Sequence, residues 1–267
     1  MVRSGYDDGM KPTERFSNRA DDYRRYRPGY PLAVTELMRE ACGLKAGASV
    51  ADVGSGTGIF SRLLLEAGFE VTAVEPNGPM QLAAEEDLGH FPRFHSVAAA
   101  AEQTGLPGAS FDAITVAQAF HWFDHQAARR EFQRLLRPGG LVFIIWNNRQ
   151  IDSSPFARAY EDLLKALGES YEAVAHRSQD VGPRGIEEFF APGVAQLAEF
   201  DNPHVMDWPG LRGRFLSASY APAKGDPRHE DFLARLERIF RQHEVEGRVT
   251  FDQTTKVYYG KLLLDMT

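Results

Sequence analysis

Apolar residues along this chain fall into two alternating rhythms. Short strand-like runs, Ser49 to Val53, Val71 to Val74, Phe94 to Val97, Ala113 to Ala117 and Leu141 to Trp146, are separated by stretches with helical spacing. One helix is predicted from Leu32 to Cys42 with Gly43 as its cap, a second from Gly58 to Ala67 closed by Gly68, and a third after Asn77. A fourth starts after an Asp124 N-cap, places Ala128, Phe132, Leu135 and Leu136 on one face and ends near Pro138. Strands that alternate with helices predict a parallel sheet with helices on both faces.

The rhythm breaks after Arg149. Ser154 and Pro155 open a helix carrying Phe156, Tyr160, Leu163, Leu164 and Leu167, and Gly182-Pro183-Arg184-Gly185 reads as a turn. A strand near Val194 to Val205, a helix near Phe232 to His243 and an alternating segment from Val249 to Tyr259 follow. Residues 150 to 190 are expected as an insertion over the strand ends, where ligands bind in open α/β sheets.

The strongest chemical signal lies where the first strand enters Gly54-Ser55-Gly56-Thr57-Gly58. Alternate glycines let a backbone turn sharply and come into contact with a ligand, because a Cβ would occupy the ligand's volume. The second strand ends in Glu75, whose carboxylate can accept both hydrogen bonds of a ribose diol. A dinucleotide fingerprint would need a third glycine where this chain has Ile59, which counts against an NAD(P)-linked oxidoreductase without removing it, since the acid after the second strand serves both cofactor classes.

The chain resembles the class I S-adenosylmethionine (SAM)-dependent methyltransferases, in particular the type 11 small-molecule group and its relatives of the trans-aconitate methyltransferase kind. The resemblance runs from about residue 16 to residue 150. It is carried by Asp52 to Gly58, by Glu75-Pro76-Asn77 with Met80, and by Ala101-Glu102 ahead of Leu106-Pro107. It continues through Phe120-His121-Trp122-Phe123, Arg137-Pro138-Gly139-Gly140 and Trp146-Asn147-Asn148-Arg149. It implies a Rossmann-like, seven-stranded, mostly parallel sheet closed by an antiparallel pair, in a single domain over residues 1 to 267 with residues 1 to 30 as a lid.

The same resemblance implies SAM as cofactor and assigns its handles. Gly54, Ser55, Gly56 and Gly58 would pass beneath the methionine portion, with Asp52 fixing the loop or, through water, the ammonium. Glu75 would hold the ribose, Pro76 and Met80 would cover adenine, and Ala101 and Glu102 would read its edge. Tyr23 and Arg27 would reach the methionine carboxylate, a group for which arginine's planar fork is suited, and Gln118 would contact the amino acid end. Transfer would be an in-line SN2 displacement from the sulfonium to a small-molecule acceptor, a carboxylate being one candidate. A carboxylate needs no base, whereas a neutral hydroxyl needs one. His121 is the candidate base and Trp122 an apolar wall, while Trp146, Asn147, Arg149 and Tyr160 are the candidate acceptor residues. A non-catalytic SAM-binding protein would keep the glycines and Glu75 but lack an acceptor pocket, and sequence does not separate the two.

Composition narrows the partners. A formal charge of −7 argues against a nucleic-acid or anionic-membrane surface, and the basic run Arg24-Arg25-Tyr26-Arg27 has no supporting basic face. Cys42 is the single cysteine, so no intramolecular disulfide forms. The longest apolar run, Leu141 to Trp146, is far too short for a membrane span, the first residues lack a signal-peptide core, and a cytoplasmic protein is the expectation. His121 and His125 lie four apart around Asp124, but the N-cap reading of Asp124 puts them on different elements, so no metal is expected.

Overall fold

A computed structural model describes residues 24–169, 171–172 and 182–263. Its centre is a seven-stranded sheet. In chain order the elements that build it are α1 (Ala33–Glu36, prolonged by a π-helical turn over Leu37–Ala41), β1 (Ser49–Val53), α2 (Ile59–Glu66), β2 (Glu70–Val74), α3 (Gly78–Leu88), β3 (Phe94–Val97), β4 (Phe111–Ala117), α4 (His125–Leu135) and β5 (Leu136–Arg149). There follow α5 (Pro155–Lys165), α6 (Pro183–Phe190), β6 (Gln196–Asp201), β7 (His204–Met206), α7 (Trp208–Leu216), α8 (His229–His243), β8 (Val249–Phe251) and β9 (Gln253–Gly260).

The sheet order is β3-β2-β1-β4-β5-β9-β6, with β1 to β5 mutually parallel and β9 antiparallel to both β5 and β6. This is the mostly parallel α/β sheet anticipated from the alternating pattern. Two apolar layers cover it. One joins Ala51, Val53, Ile114, Val116 and Ile144 to Phe120, Phe132 and Phe190. The other joins Val50, Val71, Ala113, Phe143 and Ile145 to Met38, Phe60 and Leu64. Adjacent strand residues thus feed opposite layers, which is why the central strands read as continuous apolar runs.

A third apolar cluster stands apart from the sheet. It packs Phe156, Tyr160, Leu163 and Leu164 of α5 against Leu211 and Phe215 of α7, Phe232, Leu236 and Phe240 of α8, and Phe251 of β8. With the β7–β8 ribbon these helices form a lobe. The expected insertion over residues 150 to 190 therefore divides: α5 joins the lobe, whereas Ile186, Phe189 and Phe190 of α6 pack into the sheet layer beside Phe120 and Phe132.

Several local expectations are corrected. The fourth helix stops at Leu135, and Leu136 begins β5 paired with Phe111, because Pro138-Gly139-Gly140 suits an extended bend and Gly139 takes φ +85°. Gly182-Pro183 is no free turn: Pro183 is the first residue of α6, a position where its missing N–H is harmless. The strand drawn from Val194 to Val205 splits at Asn202-Pro203 into β6 and β7, which belong to different sheets. Helix α7 was not anticipated; Pro209, Gly210 and Gly213 mask its pattern.

Candidate active site

The strand ends of β1, β2, β4 and β5, the segment around Arg27 and the lobe enclose a cleft of about 620 Å³. On the sheet side its floor is the glycine turn. Glu75 organises that turn: one carboxylate oxygen accepts from the Gly56 N–H at 2.8 Å and the other from the Asn77 N–H at 2.8 Å. Burial raises the Glu75 pKa, partly offset by these two backbone donors. Asn77 in turn caps α3 by accepting from the Met80 N–H at 3.0 Å.

The three glycines differ in what surrounds them. A Cβ on Gly56 (φ +57°) would meet only the Met80 sulfur at 3.7 Å, leaving that side open to the cleft. On Gly54 (φ +70°) it would strike the Ala119 Cβ at 2.5 Å, and on Gly58 (φ +81°) the Leu88 Cδ1 at 2.6 Å. Gly54 still lines the cleft, whereas Gly58 permits the close approach of α2 and α3 and does not. Ser55 and Asp52 do not line it either. The Asp52 carboxylate is fully buried, accepting from Ser61 Oγ at 2.6 Å and from Thr115 Oγ1 at 2.8 Å, and so ties β1 to α2 and β4. Burial pushes its pKa up to about 6, with the two hydroxyls pulling the other way. The side-chain oxygens of Ser55 and Thr57 are buried with no hydrogen-bond partner among the described residues.

Of the remaining sequence candidates, Arg27, Pro76, Met80, Ala101, Glu102, Gln118, His121, Trp122, Trp146, Asn147, Arg149 and Tyr160 all line the cleft. Tyr23 lies outside the described residues. Gln118 holds a left-handed backbone, φ +60°, rare for a residue with a Cβ and a form of strain that gathers at ligand sites. The Ala101–Glu102 loop is pinned from behind by Glu131 of α4, which accepts from the Thr104 N–H at 2.9 Å and from Arg134 at 2.7 and 2.8 Å. Arg134, foremost, holds the Glu131 pKa down at about 2. Sequence reading missed Glu131 because a carboxylate in a polar helix face carries no motif.

The candidates diverge in what occupies them. Asn147 is a structural node: its amide donates to the Gly29 carbonyl at 3.1 Å, and its oxygen accepts from Thr255 Oγ1 at 2.6 Å and Asn202 Nδ2 at 3.1 Å. It therefore holds the Arg27–Tyr30 segment to the sheet rather than offering the cleft a free amide. Arg27 donates to Ser217 Oγ at 3.1 Å, and the Tyr26 ring lies where a Gly213 side chain would be, so this segment also docks on α7. Arg149 donates to Glu161 at 3.2 Å and stands 5.2 Å from the Tyr160 ring centroid. His125 is turned away, stacked on Phe120 and bonded to the Phe120 carbonyl at 3.1 Å.

The lobe supplies residues that sequence reading did not find. Arg214, Tyr220 and Gln253 line the cleft, Arg214 being only 8% exposed. The β5–β9 register sets Arg149 opposite Gln253, whose Oε1 accepts from Arg214 at 2.9 Å. The only acids lining the cleft among the described residues are Glu75 and Glu102, against the arginines 27, 149 and 214. Burial, foremost, pushes Tyr160 up to about 12, so it is a neutral hydroxyl at neutral pH.

Comparison with known proteins agrees with this geometry. Residues 51–144 match the Methyltransferase domain family of type 11. The uncharacterised methyltransferase Rv3342 of Mycobacterium tuberculosis is 37% identical over 134 residues, covering 50% of this chain and 52% of that protein. An uncharacterised methyltransferase-like protein of Schizosaccharomyces pombe is 30% identical over 154 residues, 57% of each chain. The chain thus spans about half the length of the curated relatives it matches. Among solved structures, a candidate type II methyltransferase from Anaeromyxobacter dehalogenans superposes with a TM-score of 0.68 at 25% identity, over 89% of this chain and 99% of that one. The phosphoethanolamine N-methyltransferase 2 of Haemonchus contortus, in complex with phosphomonomethylethanolamine and S-adenosylhomocysteine, shares the fold at TM-score 0.55 and 16% identity, over 91% of this chain and 56% of that one. Residues 51–144, with their glycine turn and the acid that clasps it, match a methyltransferase domain and lie in a Rossmann-like sheet of the kind class I methyltransferases share.

Proposed function

We propose that the protein transfers a methyl group from SAM to a small-molecule acceptor, with the glycine turn side of the cleft holding the cofactor and the lobe side the acceptor. The observation that carries this reading is the open face over Gly56 beside the Glu75 clasp, continuous with a chamber of aromatic and arginine side chains. A binding protein for the cofactor alone has no use for that second chamber. A volume of about 620 Å³ also lies within the range of sites that enclose drug-sized ligands.

The residues present suit the cofactor. Glu75 keeps a lone pair on each oxygen beyond its two backbone bonds, enough to accept from a ribose diol. Met80 and Pro76 flank that position, and the polarisable thioether suits an adenine face. Glu102 borders the adjoining wall, its carboxylate accepting from the Asp124 N–H at 2.9 Å with acceptor capacity left for an amine. Arg27, with Ser217 as its neighbour, is placed for a carboxylate. When bound, SAM supplies a methyl group on an already activated sulfonium.

The chain's own work is then mainly positioning and exclusion of water. Trp122, Phe123 and Trp146 give the cleft apolar walls, and the Arg27–Tyr30 segment, clamped by Asn147, Asn202 and Ser217, covers it. If the acceptor is a hydroxyl, the His121 imidazole is the group within the cleft able to take its proton; a carboxylate acceptor requires none. Calorimetry tests the reading: S-adenosylhomocysteine should bind with one site per chain and NADH should not. Binding of NADH without heat from S-adenosylhomocysteine or SAM would refute it.

A further inference from the structure

A buried guanidinium is costly unless its charge is answered, and most buried arginines are paired with a carboxylate. Arg214 is not. Its Nη1 meets His204 Nδ1 at 2.8 Å, its Nη2 donates to Gln253 Oε1 at 2.9 Å, and its Cζ stands 5.0 Å from the centroid of Phe251. All three partners are neutral. His204 must accept at Nδ1, and burial together with Arg214 pulls its pKa down to about 4. No acid lies within ion-pair distance of Arg214 among the described residues, whereas Arg149, on the same Phe251 ring at 5.8 Å, has Glu161.

The position of this charge matters as much as its isolation. Arg214 sits on α7 of the lobe and borders the same cleft as the glycine turn, beside Tyr160 and Tyr220. His204 and Gln253 fix two edges of the guanidinium, so its remaining N–H groups are oriented before any ligand arrives. Among the described residues Arg214 lacks a negative partner, and an anion entering the cleft would supply one.

Resting on the reading of this cleft as a methyl-transfer site, we infer that the acceptor is a small organic acid whose carboxylate is anchored by Arg214, and that the methyl group goes to a different atom of the same molecule. The second half follows from chemistry. A carboxylate gripped by charge-assisted hydrogen bonds has its lone pairs engaged and its basicity lowered, which makes it a good handle and a poor nucleophile. The acceptor therefore carries, besides its carboxylate, a second nucleophilic atom on a carbon frame that fits between Tyr160, Tyr220, Trp122 and Trp146.

The experiment measures, in the presence of saturating S-adenosylhomocysteine, binding of benzoate and 4-hydroxybenzoate against benzamide and 4-hydroxybenzamide by ligand-observed NMR titration. The wild-type protein should bind at least one acid at least tenfold more tightly than its amide. Arg214→Gln should abolish that preference and Arg214→Lys should keep part of it, with S-adenosylhomocysteine affinity unchanged in both. Equal binding of acids and amides, no binding of either acid at millimolar concentration, or a preference that survives Arg214→Gln would each overturn the inference. If Arg214→Gln does not fold, Arg214→Lys decides: an acid preference left undiminished there would overturn the inference. Failure of S-adenosylhomocysteine to bind, measured first, would instead bring down the underlying methyl-transfer reading.

Discussion

The Glu75 carboxylate and the Gly56 N–H meet at 2.8 Å, so the acid at the end of β2 is also the clasp of the glycine turn after β1. Removing the side chain would leave two backbone N–H groups, Gly56 in the turn and Asn77 before α3, without their acceptor, and on the proposed reading would take the ribose acceptors as well. Glu75→Ala is expected to weaken S-adenosylhomocysteine about 10-fold to 150-fold, the equivalent of ~1.5–3 kcal/mol for hydrogen bonds to a charged group. Isothermal calorimetry checks this; an affinity within twofold of wild type would mean that the diol is held elsewhere.

Gly56 and Gly58 should fail in different ways when enlarged. At both, a side chain incurs roughly 1–2 kcal/mol for the left-handed backbone. Beyond that, Gly56→Val projects into the open cleft, so it should stay folded and lose cofactor binding, whereas Gly58→Val collides with Leu88 and should lower thermal stability further. Thermal denaturation beside calorimetry separates them. Equal melting temperatures with equal affinities would show that neither glycine has the assigned role.

Asp52 makes a prediction about pH. Its folded pKa, about 6, lies above the usual 3.8, so the fold favours the protonated carboxyl. The stabilisation this gives is complete below pH 3.8 and is lost as pH rises through 6. On a shift of that size it amounts to roughly 3 kcal/mol. Between pH 4 and pH 7, urea unfolding of Asp52→Asn should therefore improve relative to wild type by about that amount. Parallel stability profiles would mean that Asp52 ionises freely in the fold.

The Tyr26 ring fills the space of an absent side chain at Gly213. Gly213→Ala should push the Tyr26–Tyr30 segment off α7 and speed its backbone hydrogen exchange. It should also weaken S-adenosylhomocysteine, because Arg27 loses its place beside Ser217. Unchanged exchange at residues 26–30 would show that the segment is held by Asn147 and Asn202 alone.

Legibility in the sequence followed the range of the interactions. The glycine turn, Glu75 and the N-caps Asn77, Asp124 and Ser154 act within a few residues, and local spacing revealed them. The partners of Asp52 were not legible, because its environment depends on Thr115, its neighbour across the β1–β4 ladder, which only the sheet register brings alongside. Arg149 could be named as an acceptor candidate, but not its partner Glu161, which follows it through a turn and a helix whose packing the pattern does not specify. Arg214 was invisible for a related reason. It lies in a helix broken up by glycines, and its importance arises from the lack of an acid beside it among the described residues, which no spacing encodes.

The placement of β9 between β5 and β6 has a consequence for the order in which the molecule can assemble. During synthesis β6 leaves the ribosome before β9, yet it has no partner in the sheet until β9 arrives. Strands β1 to β5 can form a parallel nucleus with α2 to α4, but the sheet position of β6 and the placing of Gln253 beside Arg214 await the last strand. The glycine turn would then be in place before the chamber it faces, and the outer edge of β5 would stay unpaired, open to another chain, until β9 docks.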